Sequence, residues 1–174
     1  MGAEKSLSEN AEAHKERASL LQIFVDADAC PVKQEVYRVA KRCGLPVTLV
    51  ANSWMRIPPD PSITLQIVAA TQDSADDWIA GHVESHDIVV TADIPLANRC
   101  LKAGARVIST TGKPFTEDNI GQSVAMRELL SDLRESGAIT GGPPPLTQRD
   151  RSFFLQKLDD AIKASRRATD SRPI

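Results

Sequence analysis

The sequence predicts an α/β fold with three layers and a mostly parallel central sheet of about five strands. Two observations predict it. Short apolar runs recur at residues 20–25, 46–50, 64–68, 87–90 and 106–109, most of them separated by segments of helical periodicity; such alternation builds a parallel sheet with right-handed crossovers. Two of the runs also end alike. Ile23-Phe24-Val25-Asp26-Ala27-Asp28-Ala29-Cys30-Pro31 and Val89-Val90-Thr91-Ala92-Asp93-Ile94-Pro95 both pass from an apolar strand through an acidic turn to a proline that suits a helix start.

Each element has its own signal. Residues 20–25 are apolar enough for a strand buried on both faces. Val32, Val36, Val39 and Cys43 follow at helical spacing, and Gly44 is placed to cap that helix in the left-handed conformation. Residues 46–50 form the second strand. The stretch 51–62, with Trp54, Met55, Arg56 and three prolines, is irregular and long enough beside a sheet edge to suggest a working loop. After the strand at 64–68, Asp73 or Ser74 can cap a helix that buries Ile79, Ala80 and Val83. Asp76 shares that apolar stripe, whereas Asp77 falls beside Gly81 and Glu84. Leu96, Ala97, Cys100 and Leu101 give the helix after the strand at 87–90 its buried face, and Gly104 ends it.

Beyond the strand at 106–109 the pattern changes. Residues 110–115 form a loop with hydroxyls and Lys113, without the spacing of a P-loop. Ile120, Val124, Arg127, Leu130 and Leu133 mark a further helix with an apolar side, and 137–145 is a linker rich in glycine and proline. Phe154, Leu158 and Ile162 recur every four residues in a docking helix over 150–164. The expected organisation is a disordered polar arm at 1–19, one domain over 20–164 and a flexible tail at 165–174.

Composition narrows the function classes. A chain of 174 residues with 41% apolar side chains can build one core, and a net charge of −2 excludes a polybasic nucleic-acid binder held by bulk electrostatics. Any nucleic-acid contact has to be local. From Thr147 onward, seven basic and four acidic residues give a local excess of +3. The three cysteines, with no Cys-x-x-Cys pair, fit reduced cytosolic thiols. No apolar run reaches membrane-spanning length and no secretory segment opens the chain, so a cytoplasmic location without membrane contact is expected.

The acids carry the chemistry. In a parallel sheet Asp26, Asp28, Asp76 and Asp93 would all gather at the carboxyl edge, where ligands of open α/β sheets bind. Carboxylates crowded together repel unless some protonate or a cation neutralises them. Oxygen donors without a histidine cluster suit Mg²⁺ or Mn²⁺, and the matching reaction is metal-assisted hydrolysis of a phosphodiester. Helix capping is the competing account of Asp28, Asp73 and Asp93. For Cys30, a buried thiol packing under the turn is favoured over a reactive one.

The stretch 24–32, the Ala75-Asp76-Asp77 element, 91–97, Gly142-Pro143 and Gln148-Arg149-Asp150-Arg151 together resemble the YaiI/YqxD family of bacterial proteins, in order, from about residue 23 to residue 162. The resemblance implies kinship with PIN-like nuclease domains, an acidic site of Asp26, Asp76 and Asp93 with Asp28 as an added acid, and RNA as the substrate. Ala92 stands where some members carry glutamine. Thr91, Lys113, Arg127, Arg149 and Arg151 are the candidate substrate contacts.

Two other classes compete. Asp-x-Asp after a strand also opens haloacid-dehalogenase-like phosphatases, but Asp73–Asp77 precede Thr91, the wrong order for their later acids. A non-catalytic nucleic-acid-binding or signalling domain would use the same edge, yet a receiver's acceptor acid follows the third strand, whereas Asp93 follows the fourth.

Overall fold

The computed structural model describes residues 21–138 and 144–171. The polar arm expected before Leu20 and the Gly142-Pro143 pair lie outside them. Six strands, β1 (Ile23–Asp26), β2 (Val47–Ala51), β3 (Ile63–Ile67), β4 (Ile88–Val90), β5 (Arg106–Ile108) and β6 (Pro114–Phe115), form one sheet in the order β3-β2-β1-β4-β5-β6. All neighbours pair in parallel except β5 and β6. The mostly parallel α/β architecture is thus as expected, with β6 as an added antiparallel edge where the sequence reads as a loop. Its pairing is Val107 with Phe115 and Ile108 with Pro114, a hairpin too short to show any alternation.

Helices cover both faces. On one side lie α1 (Lys33–Cys43) and α5 (Gln148–Asp170), whose Val36, Val39, Phe154, Leu158 and Ile162 pack on Ile23, Val25, Leu49 and Val90. On the other, α2 (Ser74–His82) and α3 (Ile94–Lys102) bring Ile79, Leu96, Ala97 and Cys100 onto Phe24, Val50, Val89 and Val107. Alternate residues of β1 therefore serve opposite cores, the period-two rule of a strand buried on both faces. Full burial of Phe154, Leu158 and Ile162 contributes roughly 2 kcal/mol each, which explains why α5 docks.

Local signals set the ends. Gly44 closes α1 at φ 68°, its N–H reaching Ala40 O and Lys41 O. Gly104, after α3, has φ 87°, and a Cβ there would come within 2.9 Å of Ser85 Oγ. Thr116 and Thr147 form capping boxes with Asn119 and Asp150 for α4 (Glu117–Glu135) and α5. Helix α5 continues past Ala164 to Asp170 and fully buries Ser165, so residues 165–170, expected as tail, are helix. Three of its six basic side chains are engaged within the protein: Arg151 bonds Pro31 O and Glu35, Lys163 pairs with Asp159, and Arg166 donates to Cys43 O. Helix α4 lies beside α3 and has no fully buried residue. No helix of the described residues is long and apolar enough to cross a membrane.

Candidate functional site

The order of the sheet reverses beside β1: β2 and β3 extend to one side, β4 to β6 to the other. Strands β1 and β4 are neighbours, so the crevice beyond their carboxyl ends is the topological switch point where open α/β sheets take ligands. Asp26 ends β1, and Thr91 and Asp93 follow β4. Thr91, only 1% exposed, joins the two turns. Its hydroxyl donates to Asp26 Oδ2 at 3.1 Å and accepts the Asp93 N–H at 3.0 Å. Asp93 Oδ1 in turn accepts the Leu96 N–H at 2.9 Å and caps α3, with Pro95 in the first turn. Asp28 does not cap α1; its Oδ2 accepts the Asn52 N–H at 2.9 Å and ties the β1 turn to the end of β2. Each of these acids has one oxygen engaged by the protein, which leaves Asp26 Oδ1, Asp28 Oδ1 and Asp93 Oδ2 for other partners.

Asp76 reaches the same edge from the first turn of α2, which packs over β1 and β2. Burial, and then the charges of Asp93, Asp26 and Asp73, push its carboxyl up to about 6, opposed by the Arg99 guanidinium. Burial also raises Asp26; the Thr91 hydrogen bond counters this, while Asp93 and Asp28 add to it. Asp26, Asp76 and Asp93 thus feel one another electrostatically, as crowded carboxylates do. The two acids beside Asp76 differ. Asp73 is the N-cap residue of α2 yet makes no side-chain cap, and Asp77 pairs with Arg99 at 2.8 Å on the surface.

Among the described residues, no three His, Cys, Asp or Glu side chains close into a ready-made metal cage. The donor set still fits a hydrated Mg²⁺ or Mn²⁺, because Mg²⁺ keeps several waters and needs only one or two carboxylates beside the phosphate of its substrate. Free carboxylate oxygens, and carboxyls of Asp26 and Asp76 that burial and neighbouring acids raise, are the chemistry such a cation relieves.

The expected substrate contacts separate. Lys113 and Arg127 line a groove of about 670 Å³ between the β5–β6 turn and α4, which begins at Ala92 and Ile94 on either side of Asp93 and also takes in Ser109, Thr110 and Arg134. Arg149 is exposed on α5, Arg151 is engaged by Pro31 O and Glu35, and Thr91 is a buried brace between two acids. Cys30 is buried, and burial pushes its thiol up, as suits packing and not reactivity.

Sequence reasoning missed Lys33, which looks like a wet-side residue of α1. Its Nζ folds back onto Ala27 O and Cys30 O at 3.2 and 3.0 Å, bracing the turn that carries Asp28. The Asn52 N–H had no signal at all, because it is a backbone donor brought in by strand pairing. Ser109 was equally silent: its hydroxyl accepts the N–H groups of Thr111 and Lys113 and shapes the turn that presents Lys113.

Comparison with known proteins places the chain among relatives. The profile described as "Uncharacterized BCR, YaiI/YqxD family" matches residues 24–164. A UPF0178 protein of Rhodopseudomonas palustris (strain HaA2) is 55% identical over 156 residues, covering 90% of this chain and 95% of that protein. UPF0178 proteins of Bradyrhizobium sp. (strain ORS 278) and Nitrobacter winogradskyi (strain Nb-255) are each 54% identical over 152 residues, covering 87% of this chain and 93% and 97% of theirs. No solved structure matches. With four-fifths of its length inside the family profile and relatives alike almost from end to end, the chain belongs to the YaiI/YqxD family.

Proposed function

We propose that this protein is a divalent-metal-dependent nuclease that hydrolyses phosphodiester bonds, with RNA as its substrate. The observation that supports this most is the linked assembly at the switch point: Asp26 and Asp93 joined through Thr91, electrostatically coupled to Asp76, beside a groove carrying Lys113 and Arg127. Asp26 and Asp93 would hold Mg²⁺ or Mn²⁺ through their free oxygens, with Asp28 at the same edge. When bound, the cation supplies Lewis-acid polarisation of the phosphate and compensates its developing charge.

The remaining steps belong to the chain. Thr91 fixes the direction of Asp26, so its free oxygen needs no reorganisation when substrate arrives. Asp76, with a carboxyl near 6, is matched to take a proton from the attacking water near neutral pH. Lys113 and Arg127 draw the phosphate chain into the groove as positioning charges. RNA, as against another phosphodiester, rests on the kinship with PIN-like nuclease domains.

The test is to incubate purified protein with single-stranded RNA or DNA, in Mn²⁺ or EDTA, beside Asp26→Asn. Cleavage should require Mn²⁺, and Asp26→Asn should slow it about 100-fold or more, as expected when several kcal/mol of charge stabilisation are lost. Cleavage insensitive to EDTA or to the substitution contradicts the reading.

A further inference from the structure

The loop after β2 alternates in a way that the sheet does not require. Met55 and Ile57 are partly buried against the core under α1, while Trp54 and Arg56 between and beside them face solvent. Trp54 is 74% exposed, the most exposed of the large apolar side chains among the described residues. Tryptophan is ordinarily well buried, and this one is held outward by a backbone anchored on both sides. Upstream, the Asn52 N–H is bonded to Asp28 Oδ2; downstream, Met55 and Ile57 pack inward.

Position makes this exposure informative. Two residues of extended chain span at most roughly 7 Å, so the Trp54 backbone stays close to Asn52 and hence to Asp28, on the β2 side of the acids. The groove with Lys113 and Arg127 begins at Ala92 and Ser109, on the β4 and β5 side. The ends of β2, β1, β4 and β5 follow one another along the edge, about 15 Å across at roughly 4.8 Å per strand. An aromatic face and a guanidinium thus flank the acids on one side, and cations and hydroxyls flank them on the other.

We infer that Trp54 is a stacking platform for an unpaired base, with Arg56 beside it meeting the backbone phosphate, so that the site takes single-stranded nucleic acid laid across the carboxyl edge from the groove to the β2–β3 loop. An aromatic with an interleaved cation is how single strands are held without sequence readout, and each stacked base contributes substantially to affinity. A base inside a duplex has no free face to offer. The inference rests on the nuclease reading and specifies its substrate as single-stranded.

Binding and cleavage separate the two. Fluorescein-labelled uridine and thymidine oligonucleotides and a matched RNA duplex are titrated in EDTA against wild type, Trp54→Ala, Trp54→Phe and Arg56→Ala, with anisotropy and intrinsic tryptophan fluorescence as readouts. Single strands should bind wild type more tightly than the duplex does and quench its fluorescence. Trp54→Ala should weaken binding about tenfold, Trp54→Phe should keep most of it, and Arg56→Ala should flatten the salt dependence. Wild type and Trp54→Ala binding equally, or a preference for duplex, overturns the stacking role; Mn²⁺-dependent cleavage in that case leaves the nuclease reading intact. Absence of both binding and cleavage overturns both.

Discussion

The carboxyl and amino edges of the sheet each hold an acid pushed up to about 6, and the two have opposite meanings. Asp87, at the amino end of β4, is raised mainly by burial, and its two oxygens accept the Gln22 N–H at 3.1 Å and the Glu84 N–H at 2.9 Å. Those bonds join β4 to the start of β1 and to the end of the preceding helix. Asp76, at the carboxyl edge, is raised by burial and then by three other carboxylates. An acid whose lone pairs are taken by backbone N–H groups is a brace. An acid raised by its own kind waits for a cation or a proton, so the source of a shift separates structural from functional acids better than its size does.

The largest effect is expected at Asp87. Asp87→Ala leaves the part-buried Gln22 and Glu84 N–H groups without their acceptor and should cost about 2 kcal/mol of stability, read as a lower urea midpoint, while the cleavage rate of the folded fraction stays as in wild type. Equal stability would remove Asp87 from the bracing role. The pH response is the next effect. Both acids lie near 6 when folded against an ordinary 3.8, so the folded state holds protons that the unfolded state has released. Their contribution is therefore fully present below about 4 and is lost as pH rises to about 6. Asp76→Asn should flatten the Tm profile in that window, and Mn²⁺ should restore wild-type stability at its upper end; an unchanged profile contradicts the coupling. Thr91→Val is the smallest change. It leaves the Asp93 N–H without its acceptor and frees Asp26 to rotate, so about 1 kcal/mol of stability and about tenfold in cleavage rate should be lost. Cleavage unaffected by this change would show that the hydroxyl does not orient Asp26.

The repeated passage from apolar strand through acid to proline was legible because β1 and β4 are buried on both faces and read as unbroken apolar runs. That both turns lie at one edge also followed from it, because all strands of a parallel sheet end there; that β1 and β4 are neighbours is set by the strand order of the folded sheet. Asp76 could be singled out because it shares a helical face with Ile79. What the sequence concealed was pairing between distant segments. Asp28 looked like a cap and bonds Asn52 across the strands. Arg151 looked like a free phosphate ligand, yet its partner Glu35 lies on another helix that meets α5 only in the folded chain. Thr91 looked available to substrate, and its burial depends on the packing of both turns. Trp54 was visible, but only the inward packing of Met55 and Ile57 gives it a direction.

The most direct test of the account is the heat stability of wild type, Asp26→Asn and Asp87→Asn with and without Mn²⁺, since a ligand that binds only the folded state raises Tm by mass action. Mn²⁺ should raise the Tm of wild type and of Asp87→Asn and leave that of Asp26→Asn where it was. Equal rises in wild type and Asp26→Asn, or a rise in neither, would contradict a cation site at the carboxyl edge.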